Sequence, residues 1–304
     1  MKLLLFGSNT YPAQYFLNNL NKLISVTNYN KRFEHIDILN LDNQLFFDKY
    51  FSSINDNFEY SLNFVHIHDT KSCSTIEINK RLTERLIFAF TKLQIKRNIY
   101  ISSVNSFKQT ITEYGKAKFY SEEIYKTISN SIVVRPSTII EIDYQNRMIK
   151  GGKKGKSFDG LDKLISKSLI VPVPGLGNYL QTICFVDDLA KFIECIIIDN
   201  IFSNKTINFF SGEFISYNKF LNIYFDFKKI KRFKLYIPKI LILFAIKLLK
   251  LLVPNLNLSS KNIDNLTNQK IEFNFSQNIN KLITLKKICD INKIKNFIKL
   301  IYFK

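Results

Sequence analysis

The feature that most constrains this chain is the alternation, through its first half, of short unbroken apolar runs with stretches of helical spacing. Lys2–Phe6 reads as a buried strand and Tyr11–Leu20 as a helix. Leu23–Thr27 and Phe33–Ile38 read as two more strands, and Leu62–Ile67 as another before a long helix from Thr75 to Leu93. Asn98–Ser103, Tyr114–Ser129 and Ser131–Arg135 follow as strand, helix and strand. Strands apolar at nearly every position are buried on both faces, and helices joining parallel strands cover those faces through right-handed crossovers. The expected class is α/β, with a doubly wound parallel sheet.

After about Ile140 the pattern changes. Lys150–Asp159 (KGGKKGKSFD) reads as a loop, Leu169–Gly177 (LIVPVPGLG) as a strand and turn, Asp187–Asn200 as a helix and Thr206–Phe210 as a strand. The remainder is mostly helical and rich in Lys and Asn. Residues 1–149 and 182–212 are therefore assigned to the sheet domain, and 150–181 and 213–304 to a smaller, mostly helical C-terminal lobe. The most apolar segment, Ile237–Val253, is interrupted by Lys239, Lys247 and Lys250. A spanning helix needs roughly 20 apolar residues with few charges, so this one is expected to pack in the core or lie at a membrane surface. The start, MKLLLFG, carries too short an apolar run for a secretory signal.

Composition narrows the function classes. The 304 residues can bury a core without staples. Cys73, Cys184, Cys195 and Cys289 form no CxxC pair, which argues against a zinc site or disulfide scaffold and suits a cytoplasmic protein. A formal charge of +19 attracts polyanions. The same Lys, Asn, Ile and Phe excess also follows from AT-rich coding, so no nucleic-acid partner is assigned. His66 and His68 alternate along one expected strand and read as strand-end or core residues, and no metal site is assigned.

In a doubly wound sheet, ligands bind at the carboxyl ends of the strands. The turn after the first strand reads Gly7-Ser-Asn-Thr10-Tyr-Pro-Ala13. A dinucleotide turn carries glycines for the tight bend, for pyrophosphate approach and for helix packing. Only Gly7 is retained. Ala13 is small enough for the helix to approach, and Thr10 places a hydroxyl where it can donate to phosphate. A stronger signal lies further on. The strand NIYISS ends in Ser102 and Ser103, and eleven residues after Ser103 comes Tyr114-Gly-Lys-Ala-Lys118. Tyr and Lys four apart share a helix face. A nearby ammonium lowers a phenol's pKa, and such a Tyr can move a proton at a carbonyl or carbinol oxygen while hydride transfers. A strand-end Ser can hydrogen-bond the same oxygen.

The blocks YISSV (Tyr100–Val104), YGKAKFYSEE (Tyr114–Glu123), VVRPSTI (Val133–Ile139) and VPVPGLGNYLQTICFVDDLAKFI (Val171–Ile193) resemble the extended short-chain dehydrogenase/reductase family, in its NAD-dependent epimerase/dehydratase group. Leu258–Gln277 is similar to the tail of members that reduce or epimerise nucleotide-linked sugars. The resemblance implies a Rossmann-like fold, NAD or NADP as cofactor and a nucleotide-linked sugar as substrate. It makes Tyr114 the acid/base, Lys118 the residue that holds the nicotinamide ribose and tunes the Tyr, and Ser103 the group that orients the substrate oxygen. Ser102 stands nearer the cofactor. Gly7, Thr10 and Ala13 take the dinucleotide-turn positions, and Arg135 and Pro136 those beside the nicotinamide. Asp187 and Asp188 open a helix at the positive end of its dipole. A homodimer pairing through helices beside the Tyr is also implied.

The chain departs from the family pattern in several places. The acid that follows the second strand is missing, since Val26–Asn30 offers only amides. Lys31 and Arg32 come next and can meet a 2′-phosphate, which favours NADP. Asn40-Leu41 stands where members carry Asp after the third strand, and His68-Asp69 where they show paired alanines. The expected function is an NAD(P)-dependent 4-epimerase or 4-keto reductase of a nucleotide sugar, serving cell-surface polysaccharide biosynthesis. The alternative is a catalytically impaired member acting as a scaffold or regulatory subunit, suggested by the eroded turn.

Overall fold

The computed structural model describes residues 1–252, apart from residues 30, 32, 68–73, 109, 111, 144–147, 152–164, 166, 201 and 212–214. Its elements, in chain order, begin with β1 (Lys2–Phe6), α1 (Tyr11–Asn18), β2 (Ser25–Tyr29), α2 (His35–Asn40) and α3 (Asn43–Tyr50). There follow β3 (Tyr60–Asn63), α4 (Thr75–Lys92), β4 (Arg97–Ile101), α5 (Glu113–Tyr125) and β5 (Ser131–Pro136). Next are β6 (Thr138–Asp143), β7 (Met148–Gly151), β8 (Ile170–Pro174), β9 (Leu180–Gln181), β10 (Ile183–Phe185), α6 (Val186–Ile198) and β11 (Lys205–Phe209). The described chain closes with β12 (Ile215–Ser216), α7 (Tyr217–Lys228), β13 (Phe233–Ile237) and α8 (Lys239–Leu252).

Two compact units result. The first is Met1–Ser137 with Val186–Phe210, and the second is Thr138–Phe185 with the described residues from Ser211 onward. The first break falls at Ser137 rather than at 149, because β6 pairs with β10 and β7 and not with the large sheet.

The first unit holds a six-stranded sheet in the order β2-β1-β3-β4-β5-β11, every neighbouring pair parallel. Strand order therefore reverses between β1 and β3. Leu3, Leu4, Leu5 and Phe6 are completely buried, as a strand covered on both faces requires. α4 packs along α5 and α1 against α6. Asp187 and Asp188 do occupy the first turn of α6. In the second unit, α7 starts at Ser216, whose hydroxyl accepts the Lys219 N–H at 3.2 Å. Its apolar side lies in a core with Val171, Val173 and Ile183.

The expected strand at Phe33–Ile38 is instead mostly the short helix α2. Ile38 is fully buried while Ile36 is 69% exposed, so the two cannot share a strand face as their spacing of two would require. The helical turn places Asp37 where its Oδ2 accepts the Tyr50 hydroxyl and the Lys49 ammonium, the latter at 2.8 Å. That ion pair and hydrogen bond hold the Asp37 carboxyl below its usual range. α3 was not anticipated from the sequence. Its N-cap Asp42 accepts the Leu45 N–H at 2.8 Å, and it buries Phe46 and Tyr50 in an aromatic cluster with Phe6, Tyr29 and Phe51.

Candidate functional site

The site is built where β1, β4 and β5 end on one side of the sheet. Gly7 leaves β1 with φ +76°. A Cβ there would stand 2.9 Å from Val65 N and 3.0 Å from the Phe64 carbonyl carbon, just beyond β3. Glycine is required both by the left-handed backbone and by this close approach, at the point where strand order reverses. Ala13 is fully buried, so α1 starts close against the sheet. Thr10 behaves differently from the expectation. Its N–H and its hydroxyl both donate to the Gly7 carbonyl at 2.9 Å. The hydroxyl expected to meet a phosphate closes the turn instead. Pro12, in the first turn of α1, brings no N–H.

At the end of β4, Ser102 and Ser103 are both buried and turn to different partners. Ser103 Oγ accepts the Asn105 N–H at 3.2 Å, and its hydroxyl bonds the Tyr114 phenol. Tyr114 lies in the first turn of α5, whose N-cap Thr112 accepts the Gly115 N–H at 3.1 Å. A Cβ on Gly115 would stand 2.5 Å from both Asn105 O and Thr110 Oγ1. The missing side chain lets α5 press onto the loop after β4, and this brings the phenol to Ser103. His66, beyond the end of β3, meets the Tyr114 ring edge-on, with centroids 4.7 Å apart and planes at 76°. Tyr114 is 37% exposed overall, yet its hydroxyl is desolvated. That desolvation pushes the phenol above its ordinary value, and the Ser103 hydrogen bond pulls it partly back.

Lys118 follows one turn later and is buried. Its Nζ donates to the Ile101 carbonyl at 2.8 Å and stands 4.7 Å from the centre of the Tyr100 ring. Burial lowers the ammonium to about 7, and Glu122 opposes that shift. The expected acidification of Tyr114 by this cation does not occur here. The phenol is shifted upward, with burial the largest cause.

Glu122, one further turn along α5, is a residue that the sequence reading missed. Its fully buried carboxylate accepts the Ser102 hydroxyl and the Arg135 guanidinium, with Arg135 Nε 2.9 and 3.0 Å from the two oxygens and Nη2 on Oε2. The spacing of four from Lys118 was a visible signal. The pairing with β5 was not. Arg135 and Ser102, expected beside the cofactor, thus spend their polar groups on α5. Pro136 is buried at the end of β5, its carbonyl accepting the Val104 N–H at 3.1 Å.

Among the described residues, Lys31, Asn40 and Leu41 do not join this cluster. Lys31 is exposed, and Arg32 lies outside the described residues together with His68 and Asp69. Asn40 ends α2 and Leu41 follows it, the Leu41 carbonyl accepting from Arg85 Nε at 3.1 Å. They stand at a helix end and not at a strand end, because Phe33–Ile38 is not a strand. Tyr29, at the end of β2, turns inward and donates to the Tyr50 carbonyl at 2.7 Å. Among the described residues, no three His, Cys, Asp or Glu side chains gather as a metal-binding group.

No family model and no curated protein matches the sequence. Solved structures match the fold. dTDP-4-dehydrorhamnose reductase from Bacillus anthracis, in complex with NADP, aligns at TM-score 0.59 and 14% identity, over 78% of this chain and 84% of that one. UDP-glucuronic acid 4-epimerase from Bacillus cereus, in complex with NAD, aligns at TM-score 0.57 and 14% identity, over 78% and 87%. UDP-glucose 4-epimerase from Thermotoga maritima, with UDP-glucose, aligns at TM-score 0.55 and 14% identity, over 78% and 86%. At these identities the likeness establishes a Rossmann-like fold, the doubly wound parallel sheet expected from the strand alternation.

Proposed function

We propose that this chain is an NAD(P)-dependent enzyme of the extended short-chain dehydrogenase/reductase family that acts on a nucleotide-linked sugar, as a 4-keto reductase or 4-epimerase. The observation that carries the reading is the placement of Ser103 just past β4 and Tyr114 in the first turn of α5, with Gly115 in close approach to Asn105 O and Thr110 Oγ1. Support comes from the similar proteins, which are reductases and epimerases of nucleotide-linked sugars bound to NADP or NAD. In this reading the first unit takes the dinucleotide and the second the sugar, and a homodimer forms beside α5.

The residues present fit a dinucleotide. Gly7 brings the turn close to the neighbouring strand at the switch point, and Ala13 lets the start of α1 approach, where a helix N-terminus favours phosphate. Thr10 and Pro12 leave that turn fewer donors than three glycines offer, so it is the weaker end of the site. When bound, the nicotinamide supplies or accepts hydride.

The chain's own residues handle the proton. Desolvation keeps Tyr114 a protonated phenol at neutral pH, ready to donate to a substrate carbonyl oxygen as negative charge develops there. Ser103 directs the phenol. A protonated phenol suits carbonyl reduction, which favours the reductase over the epimerase, whose first step needs a base.

The test is transfer of label. The chain is incubated with nicotinamide cofactor deuterated at C4 and a nucleotide-linked 4-keto sugar, and the product is analysed by mass spectrometry. Deuterium at the sugar C4 is expected. No transfer, together with no binding of NADH or NADPH by fluorescence titration, would leave the scaffold reading, which the self-closed Thr10 turn favours.

A further inference from the structure

The second unit carries a surface that sugar chemistry does not use. From Lys228 to Lys250 the chain has eight Lys or Arg and no Asp or Glu. Within that stretch β13 pairs, among the described residues, with β8 alone, and Pro238 passes the chain directly into α8. Apolar side chains here face outward. Phe233 is 76% exposed and Tyr236 46%, while Ile240, Leu241 and Phe244 are 79%, 56% and 59% exposed. Ile240 and Phe244 are four apart and Leu241 lies between them in the next row, so the three share one side of α8. Lys229 and Lys231, just ahead of β13, are exposed. Exposed apolar side chains gathered on one helix side mark an interaction site.

The chemistry of the surroundings selects the occupant. A protein groove that accepts a helix face ordinarily adds polar partners at its rim. Here the charged side chains of residues 228–250 are all basic, and the exposed row of α8 at Ile240, Leu241 and Phe244 is aliphatic and aromatic. Such a helix lies in the plane of an anionic bilayer, its apolar side among the acyl chains and its basic flank on the headgroups. Among the described residues no helix is long and apolar enough to cross a membrane, so contact is at the surface. We propose that β13 and the start of α8 dock this protein on an anionic lipid surface.

The experiment uses the full chain and vesicles of phosphatidylcholine, with and without phosphatidylserine, read by co-sedimentation. Pelleting is expected only with the anionic vesicles, and salt should release the protein as the Debye length shrinks to about 3 Å near 1 M. An Ile240→Ser, Phe244→Ser variant should partition more than about tenfold less, since two large side chains no longer bury. A Lys229→Glu, Lys231→Glu variant leaves the apolar row untouched and should lose the preference for phosphatidylserine. Wild-type protein that stays in solution with anionic vesicles overturns the proposal. So does partition unaffected by both variants. A wild-type dimer that the serine variant converts to monomer, with no vesicle binding by either, overturns it in favour of a second copy on this face.

Discussion

The turn after β1 and the start of α5 border the same end of the sheet, yet they spend their polar groups differently. In the turn, Thr10 returns both its N–H and its hydroxyl to Gly7, and the geometry is held by bonds local to the turn. At α5 the polar groups reach across to other elements: Ser103 to Tyr114, Lys118 to β4, and Glu122 to Ser102 and Arg135. The first region tolerates loss of two glycines because its bonds are local. The second depends on charges buried together, where each member is costly without the others.

That contrast can be broken by substitution. The largest effect is expected for Tyr114→Phe, which removes the proton donor and should lower kcat about 10²–10⁴-fold while dinucleotide affinity is unchanged. Steady-state kinetics with fluorescence titration checks both halves, and unchanged turnover would remove Tyr114 from the chemistry. Next is Glu122→Ala, which strands the Arg135 guanidinium and the Lys118 ammonium without their carboxylate. A loss of about 3–5 kcal/mol in urea unfolding is expected. A loss within error would mean that the cluster does not hold α5.

Gly7→Ala should cost less, about 1–3 kcal/mol, through the strained backbone and the Val65 approach, again by urea unfolding. Thr10→Gly sharpens the comparison from the other side. It removes the hydroxyl's bond to the Gly7 carbonyl, keeps the N–H bond and clears side-chain bulk from the turn, so NADPH or NADH should bind about fivefold more tightly. Unchanged or weaker binding would show that the closed turn is already the binding form.

The remaining effect is in pH. Lys118 titrates near 7 when folded and near the ordinary 10.5 when unfolded. Between those values the unfolded chain holds more protons, so the contribution of Lys118 to stability rises as pH climbs from about 7. Against Lys118→Met, wild-type protein should gain relative stability over that window. Parallel stability curves would refute the shifted lysine.

The sequence by itself determined the α/β class, since Leu3–Phe6 and Ile99–Ile101 are apolar without interruption and only a doubly covered strand accepts that. It also located α4 and the spacing of Ser103, Tyr114 and Lys118, because helical and strand periods are local properties. Tertiary structure alone decided the rest. Phe33–Ile38 turns helical mainly because Asp37 must meet Lys49 and Tyr50, which belong to a helix the pattern did not reveal. The direction of the Lys118 ammonium, toward the Ile101 carbonyl and the Tyr100 ring, was equally out of reach. Periodicity reports which face of an element is buried. Which charge a buried group meets depends on segments distant in the chain, and that energy exists only once they are packed.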